Sequence, residues 1–182
     1  MSGRTVEKGQ TDVTIVVHKF PVPTAQLTIL VFEDIQPTNA AFDTTQEHAA
    51  PNTTSDLAFR GILQGRSSAV WKGNIIVDPG AQKTDAFQES RNLLLSKRAH
   101  ADAIPGLEIQ ANDVRCTHAA AIAQVDPEQL FYLGSRGLPP DVAKRLVIEG
   151  FLSALVERFE EGPVRKVLGD VLERRLALIL SD

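Results

Sequence analysis

The sequence has few of the residues that mark secreted or membrane proteins. Its 182 residues include one cysteine, so the chain cannot form an internal disulfide, which fits a reducing compartment. No run approaches the roughly 20 apolar residues that span a bilayer. The first ten residues, MSGRTVEKGQ, lack the apolar core of a secretory signal. These absences predict a soluble cytoplasmic protein.

Basic residues and nucleotide-binding motifs are also scarce. Lys and Arg number 19 against 23 Asp and Glu, and the net charge of -4 argues against a nucleic-acid surface. No G-x-x-x-x-G-K-[ST], G-x-G-x-x-G or G-x-S-x-G motif occurs, and the four histidines never form H-x-x-H or H-E-x-x-H. The sequence therefore predicts that this chain binds no nucleotide and has no conventional active site.

The part of the chain before Asp126 is rich in short β-type runs. They are TDVTIVV, QLTILVF, AVWKGNIIV, NLLL, LEIQA and VRCTHAAAIA, each bounded by turn residues. The stretch TDAFQESRNLLL can also be interpreted as a helix. The runs recur about every 20 residues, from Ile75 to Leu94 and from Leu94 to Val114. This spacing favours a coil of parallel strands over a sandwich of hairpins, whose two-residue turns such as Asn-Gly are absent.

After Asp126 the pattern becomes helical. Asp126 can cap a helix that starts at Pro127 and stops at Gly137, and Gly162 and Pro163 separate two longer helices. Their apolar stripes either pack within the protein or form part of a docking face for another protein. The stripes consist of Val142, Leu146, Phe151, Leu155 and Phe159 in the first helix and Val164, Val167, Leu168, Val171, Leu172 and Ile179 in the second.

The residues with the clearest capacity for chemistry are Cys116 and His118, in the stretch NDVRCTHAAA at residues 112–121. On a strand, residues i and i+2 face the same side, so a thiolate and an imidazole could bind one metal ion together. Two ligands are too few for a cluster or a structural metal, which normally has four. From spacing alone, a buried thiol beside an ordinary histidine remains the simpler alternative.

A family resemblance adds to this interpretation. The ordered stretches HAAPNTTSDLAFRG, GRSSAVWKGNIIVDPGAQKTDAFQESRNLLLS and PGLEIQANDVRCTHAAAIAQVDPEQLFYLGSRGLPPDVAKRLVIEGF resemble the C-terminal half of the SufB/SufD family of iron–sulfur cluster assembly proteins. The resemblance runs from about Phe42 to the end. It implies a mainly β protein with α, namely a right-handed parallel β-helix followed by a C-terminal helical region. The expected divisions are a poorly matching, β-type segment at residues 1–41, the β-helix core at 42–126 and the helical region at 127–182.

Within the family the chain is more similar to SufD than to SufB. It has the Cys-x-His of the SufD type, with Ala119 where SufB-type chains often have glutamate, and it lacks their further cysteines. The resemblance implies a non-catalytic scaffold that pairs with a SufB-like subunit and docks a SufC-like ATPase through its C-terminal helices. It implies that Cys116 and His118 contact a nascent iron–sulfur cluster at the shared interface, with His118 the stronger candidate for an iron ligand. An isolated chain could form a homodimer.

Two alternatives stay open at this point. One is a Cys–His enzyme, a hydrolase or transferase, on a β-solenoid. The other is a structural fragment without independent activity, because members of the family are generally much longer than this chain. A shortened solenoid would also expose an uncovered end unless the poorly matching N-terminal segment covers it.

Overall fold

Strands build one part of the protein and helices the other. The computed structural model describes residues 10–17, 25–30 and 39–179, and the chain divides into two compact units, residues 1–123 and 124–182. Much of the segment predicted to match poorly, namely residues 1–9, 18–24 and 31–38, lies outside the described residues.

Eight described strands alternate along the chain between two sheets. They are β1 (Gln10–Val17), β2 (Ala25–Leu30), β3 (Asn39–His48), β4 (Thr54–Leu63), β5 (Ser68–Val77), β6 (Asp85–Leu94), β7 (His100–Ile109) and β8 (Arg115–Gln124). One sheet has the order β1-β3-β5-β7 and the other β2-β4-β6-β8. The pairs β1–β3, β2–β4, β3–β5, β4–β6 and β5–β7 are parallel, and their residues pair one to one along each strand. Each turn of the chain thus adds one strand to each sheet, which confirms the predicted parallel β-helix.

The repeat length predicted from the spacing of the apolar runs was wrong. In the β1-β3-β5-β7 sheet, Asn39 pairs with Ser68 and Ser68 pairs with His100, so one full turn extends from Asn39 to Ser68 and the next from Ser68 to His100. These turns are longer than predicted because each contains two strands and two bends. The predicted spacing ran instead from β5 to β6 in the opposite sheet, and from the end of β6 to the start of β8.

Alternate side chains point between the two sheets and form the core. Trp71 is 1% exposed, with its ring centroid 5.9 Å from that of Phe59, which lies 5.3 Å from Phe42. The cluster around these three rings also contains Ala40, Leu57, Leu63, Ala69, Ala99 and Ala101, and a second cluster contains Ile75, Val77, Ala81, Ala86 and Ala111. Burial of this apolar surface is the main stabilising contribution to the coil.

The buried His48 contacts hydroxyl groups on both sides of one bend of the solenoid. Its Nδ1 lies 2.7 Å from Thr53 Oγ1 and its Nε2 lies 2.9 Å from Ser55 Oγ, and Thr53 Oγ1 lies 3.2 Å from Thr84 Oγ1 one turn further on. Burial lowers the pKa of His48, because the charged imidazolium loses hydration. The imidazole is therefore a neutral bridge between hydroxyl groups.

Strand limits differ from the sequence expectations in two places. The stretch TDAFQESRNLLL forms β6, so its helical interpretation was wrong: the segment pairs with β4 along its whole length. The strands β3 and β4 were not among the predicted runs. The strand β3, NAAFDTTQEH, is largely polar, and it becomes a strand because Phe42, Thr44 and Gln46 lie inside the stacked coil.

Three helices form the second unit: α1 (Pro127–Ser135), α2 (Pro140–Val156) and α3 (Pro163–Ile179). Asp126 caps α1 as expected, its Oδ1 accepting the Glu128 N–H at 2.9 Å, and Gly137 follows with a φ of 89°. The helix α2 packs on α1 and α3. No helix in the described part of the chain is long and apolar enough to cross a membrane.

The predicted apolar stripes only partly match the buried faces. Val142 and Leu146 on α2 and Val164 and Val167 on α3 are exposed. The buried residues include Leu155 and Leu172, which belong to the predicted stripes, and five residues outside them: Ala143, Ile148, Leu152 and Val156 on α2 and Leu176 on α3. Periodicity identifies apolar positions, but the packing partners decide which of them face inward.

Candidate functional site

Cys116 and His118 lie on β8, the last strand of its sheet. The Arg115 N–H donates to Thr84 O at 2.8 Å, as the Asp85 N–H does to Thr53 O one turn earlier. This bond sets Arg115 opposite Asp85, and their side chains are 3.5 Å apart between Nε and Oδ1. Counting along the parallel strands then places Cys116 opposite Ala86 and His118 opposite Gln88.

The thiol of Cys116 faces the interior and is half-buried. It packs against the cluster that contains Ile75, Val77 and Ala86, and it is a free cysteine. Burial raises its pKa, the charge of Asp85 adds to this rise, and a backbone hydrogen bond from Ala86 opposes it. The sulfur is therefore a protonated thiol at neutral pH. An activated nucleophile needs a lowered pKa, so this environment disfavours the Cys–His enzyme.

His118 shares the inward face of β8 with Cys116 but is exposed. The two residues are two positions apart on a strand, so the structure places them on one face, as the spacing predicted. Cys116 is more buried than His118 because the core cluster packs against Cys116 and does not extend to His118. The His118 side chain therefore leaves the same face of β8 as Cys116 and is open to solvent.

The turn formed by β7 and β8 is the uncovered end of the described solenoid. Ile75 and Val77 on β5 are 0% exposed, whereas their register partners on β7, Leu107 and Ile109, are 40% and 42% exposed. Ile122 on β8 is also exposed. An apolar end with two unpaired strand edges is unfavourable in water, so this surface is suited to pairing with another protein.

Cys116 and His118 would need additional ligands to hold a metal ion or cluster. Among the described residues, no group of three or more His, Cys, Asp or Glu side chains is arranged to hold a metal ion. The assignment of these two residues as iron ligands therefore remains a prediction.

Sequence reasoning missed Gln88, the register neighbour of His118. Gln88 is 0% exposed, and its Nε2 donates to Gly73 O at 3.1 Å and to Gly106 O at 3.3 Å, across the interior on β5 and β7. Nothing in the local sequence marks this residue, because it lies one full turn of the coil before His118. Only a correct repeat length would have brought the two together.

The helical unit has exposed apolar surface of its own. Phe131 and Tyr132 on α1 are exposed, and the guanidinium of Arg136 lies 5.2 Å from the centroid of the Tyr132 ring. Val164 and Val167 are exposed near the start of α3. Isolated exposed apolar residues are ordinary, whereas several on one small unit are a common feature of protein-binding surfaces.

Comparison with known proteins gives consistent matches. Residues 24–151 match the family model described as SUF system FeS cluster assembly, SufBD core domain. An iron-sulfur cluster assembly SufBD family protein of Mycobacterium tuberculosis is 37% identical over 143 residues, covering 74% of this chain and 36% of that protein. The iron-sulfur cluster assembly protein SufD of Bacillus subtilis is 44% identical over 116 residues, covering 64% and 26%. SufD of Escherichia coli is 37% identical over 129 residues, covering 70% and 30%. The chain thus spans between about a quarter and just over a third of these relatives.

Proposed function

Because this chain belongs to the SufBD family of iron–sulfur cluster assembly proteins, we propose that it acts as a SufD-like scaffold on which a nascent cluster is built. The observation that carries the proposal is the position of Cys116 and His118, side by side on the inward face of the last strand at an uncovered solenoid end. The cluster is the cargo of this chain, and the chain itself performs no catalytic step.

His118 is the principal iron ligand in this proposal. A neutral imidazole binds a metal ion through the lone pair of one ring nitrogen without losing a proton. Cys116 must first lose a proton, and its raised pKa makes that step costly until iron is close. His118 therefore recruits iron, and Cys116 joins as a thiolate once the metal favours its ionised form.

The remaining ligands come from a SufB-like partner in this proposal. Four ligands are usual for a cluster, so two donors at an uncovered end supply half of a shared site. The exposed Leu107, Ile109 and Ile122 give the partner an apolar surface, and the free edges of β7 and β8 allow its strands to continue the sheets. The same features allow an isolated chain to pair with a second copy.

A SufC-like ATPase is the second proposed partner, bound to the helical unit. The exposed Phe131, Tyr132, Val164 and Val167 support this docking role. Nucleotide is bound and hydrolysed by the ATPase, since this chain has no phosphate-binding loop motif. We place the assembly in the cytoplasm, where thiols stay reduced.

Anaerobic reconstitution with SufB-like and SufC-like partners tests the proposal. His118→Ala should leave the complex assembled, measured by size-exclusion chromatography, and reduce the cluster yield, measured by its visible absorbance. His100→Ala is the matched control, because His100 is also an exposed strand histidine but lies two positions from Asp102 on β7, with Nε2 3.3 Å from Oδ2. Equal cluster yields for the two variants would refute the role of His118. Failure of the folded chain to bind either partner would refute the scaffold role.

A further inference from the structure

Two four-residue turns stack on each other at one edge of the solenoid. They are residues 64–67, between β4 and β5, and residues 96–99, between β6 and β7. In each turn the N–H of the fourth residue donates to the C=O of the first, at 3.1 Å and 3.2 Å respectively. The Ser96 hydroxyl donates to Gly65 O at 2.7 Å and so connects the two turns. The side chains on this edge therefore project from an ordered backbone.

The third residue of each turn is an arginine. These residues are Arg66 and Arg98, Lys97 precedes Arg98, and all three side chains are exposed. Neighbouring strands of a sheet lie about 4.8 Å apart, so the stacked turns bring the two arginines close together. Like charges at adjacent positions of neighbouring strands are destabilising, and the same repulsion acts between these turns. The fold gains no stability from this arrangement of charge.

No acidic side chain compensates these three cations. The sequence has no Asp or Glu between residues 57 and 77 or between residues 90 and 101. The next carboxylate along the chain, that of Asp102, faces His100. In the part of the chain that the structure describes, the three cations have no ion-pair partner. A local excess of positive charge thus lies on a chain whose net charge is -4.

The number of these charges indicates which class of partner fits them. A protein that binds DNA makes on the order of 6–10 phosphate contacts, and membrane-binding basic segments contain about 4–8 Lys or Arg residues. Three cations are too few for either. They are enough for a short acidic segment, because one guanidinium can bind a carboxylate through two parallel N–H groups. We propose that this basic edge, defined by Arg66, Lys97 and Arg98, docks an acidic segment of another protein.

The basic edge is separate from the proposed cluster site. Cys116 lies opposite the start of β6, whereas the turn that carries Arg98 follows the end of β6. The ten residues of β6 span about 33 Å. An acidic segment on the basic edge therefore leaves Cys116 and His118 open to another chain. The docking role does not depend on the proposed function, and its test does not involve a cluster.

The test is the fluorescence anisotropy of a labelled hexaglutamate peptide titrated with the full chain. We expect Arg66→Gln and Arg98→Gln each to weaken binding about 2- to 5-fold, the range of one exposed ion pair, and added salt to weaken it further. Lys83→Gln is the matched control, because Lys83 is also exposed, lies on a bend at the opposite edge and carries the same charge. It should leave the affinity unchanged. Equal losses from Arg98→Gln and Lys83→Gln, or no binding of the peptide to the unaltered chain, would overturn the proposal.

Other partner classes and a purely structural role are tested separately. A labelled DNA duplex, and phosphatidylserine vesicles in a co-sedimentation assay, should bind more weakly than the peptide, and tighter binding of either would refute the choice of an acidic protein segment. Neutralising either arginine removes repulsion, so the urea midpoint of each variant should stay the same or rise. A fall in both midpoints would show that the arginines stabilise the turns, against the docking role.

Discussion

Gly73 occupies a position in the interior where a single added methyl group should destabilise the solenoid. A Cβ at this residue would lie closer than 3.0 Å to the Trp71 carbons Cη2 and Cζ2 and to Gln88 Oε1, separations that real Cβ atoms essentially never show. The indole ring would have to move by about 1 Å to restore ordinary contact. It is buried and packed against Phe59, so that movement disturbs the whole aromatic cluster.

The expected cost of Gly73→Ala is about 2 kcal/mol in the free energy of unfolding. Overpacking a core typically costs about 1–3 kcal/mol, and a large ring held in a cluster belongs to the upper part of that range. Alanine restricts the unfolded chain more than glycine does, which offsets about 0.4–1 kcal/mol. Gly80→Ala is the control: no atom lies within 4 Å of its added Cβ, so we expect a change within about 0.5 kcal/mol.

Denaturant unfolding measures this difference directly. The chain has one tryptophan, so the fluorescence of Trp71 reports on the core of the solenoid, and far-UV circular dichroism serves as a second probe. Trp71→Phe, which removes the clashing part of the ring, should make Gly73→Ala less costly by at least about 1 kcal/mol in a double-mutant cycle. This cycle is followed by circular dichroism, because the Trp71→Phe variants contain no tryptophan. Equal unfolding free energies for Gly73→Ala and Gly80→Ala would refute the packing argument.

Further predictions concern charge and hydrogen bonding. Glu89→Gln should lower the unfolding free energy by about 3 kcal/mol, because it removes the carboxylate charge that lies 2.8 Å from the buried Arg60 guanidinium. The control is Glu108→Gln at an exposed position, which should have almost no effect in the same denaturant titration. The lowered pKa of His48 means that the unfolded chain binds a proton more readily, so stability is complete above the ordinary pKa of 6.5 and is lost as pH falls below it. Urea midpoints between pH 8 and about 5 should show this loss, and His48→Gln should flatten it. Cys116 should react with iodoacetamide slowly at pH 7 and faster only above its ordinary pKa of 9.0; rapid labelling at pH 7 would contradict its burial.

The limits of several elements could be predicted from the sequence because they depend on local chemistry. Asp126 and Pro127 start α1 independently of the tertiary structure. The Asp126 carboxylate caps a free N–H group of the first turn, and the first helical position needs no N–H, so proline fits it. The i, i+2 spacing of Cys116 and His118 likewise requires one face of a strand. The strand β3 could not be predicted in this way, because its polar residues only favour a strand once neighbouring turns stack on them.

The sequence by itself determined the family, most of the short strands, the starts of α1 and α3 and the shared face of Cys116 and His118. Only the tertiary structure decided the length of the solenoid repeat, the exposure of Val142 and Val164, and the burial of Gln88 beside His118. The physical reason is the range of the interactions. The pleat of a strand and the turn of a helix are set by residues close together in the sequence. Register and burial depend instead on how many residues each bend contains before the chain returns to the same sheet.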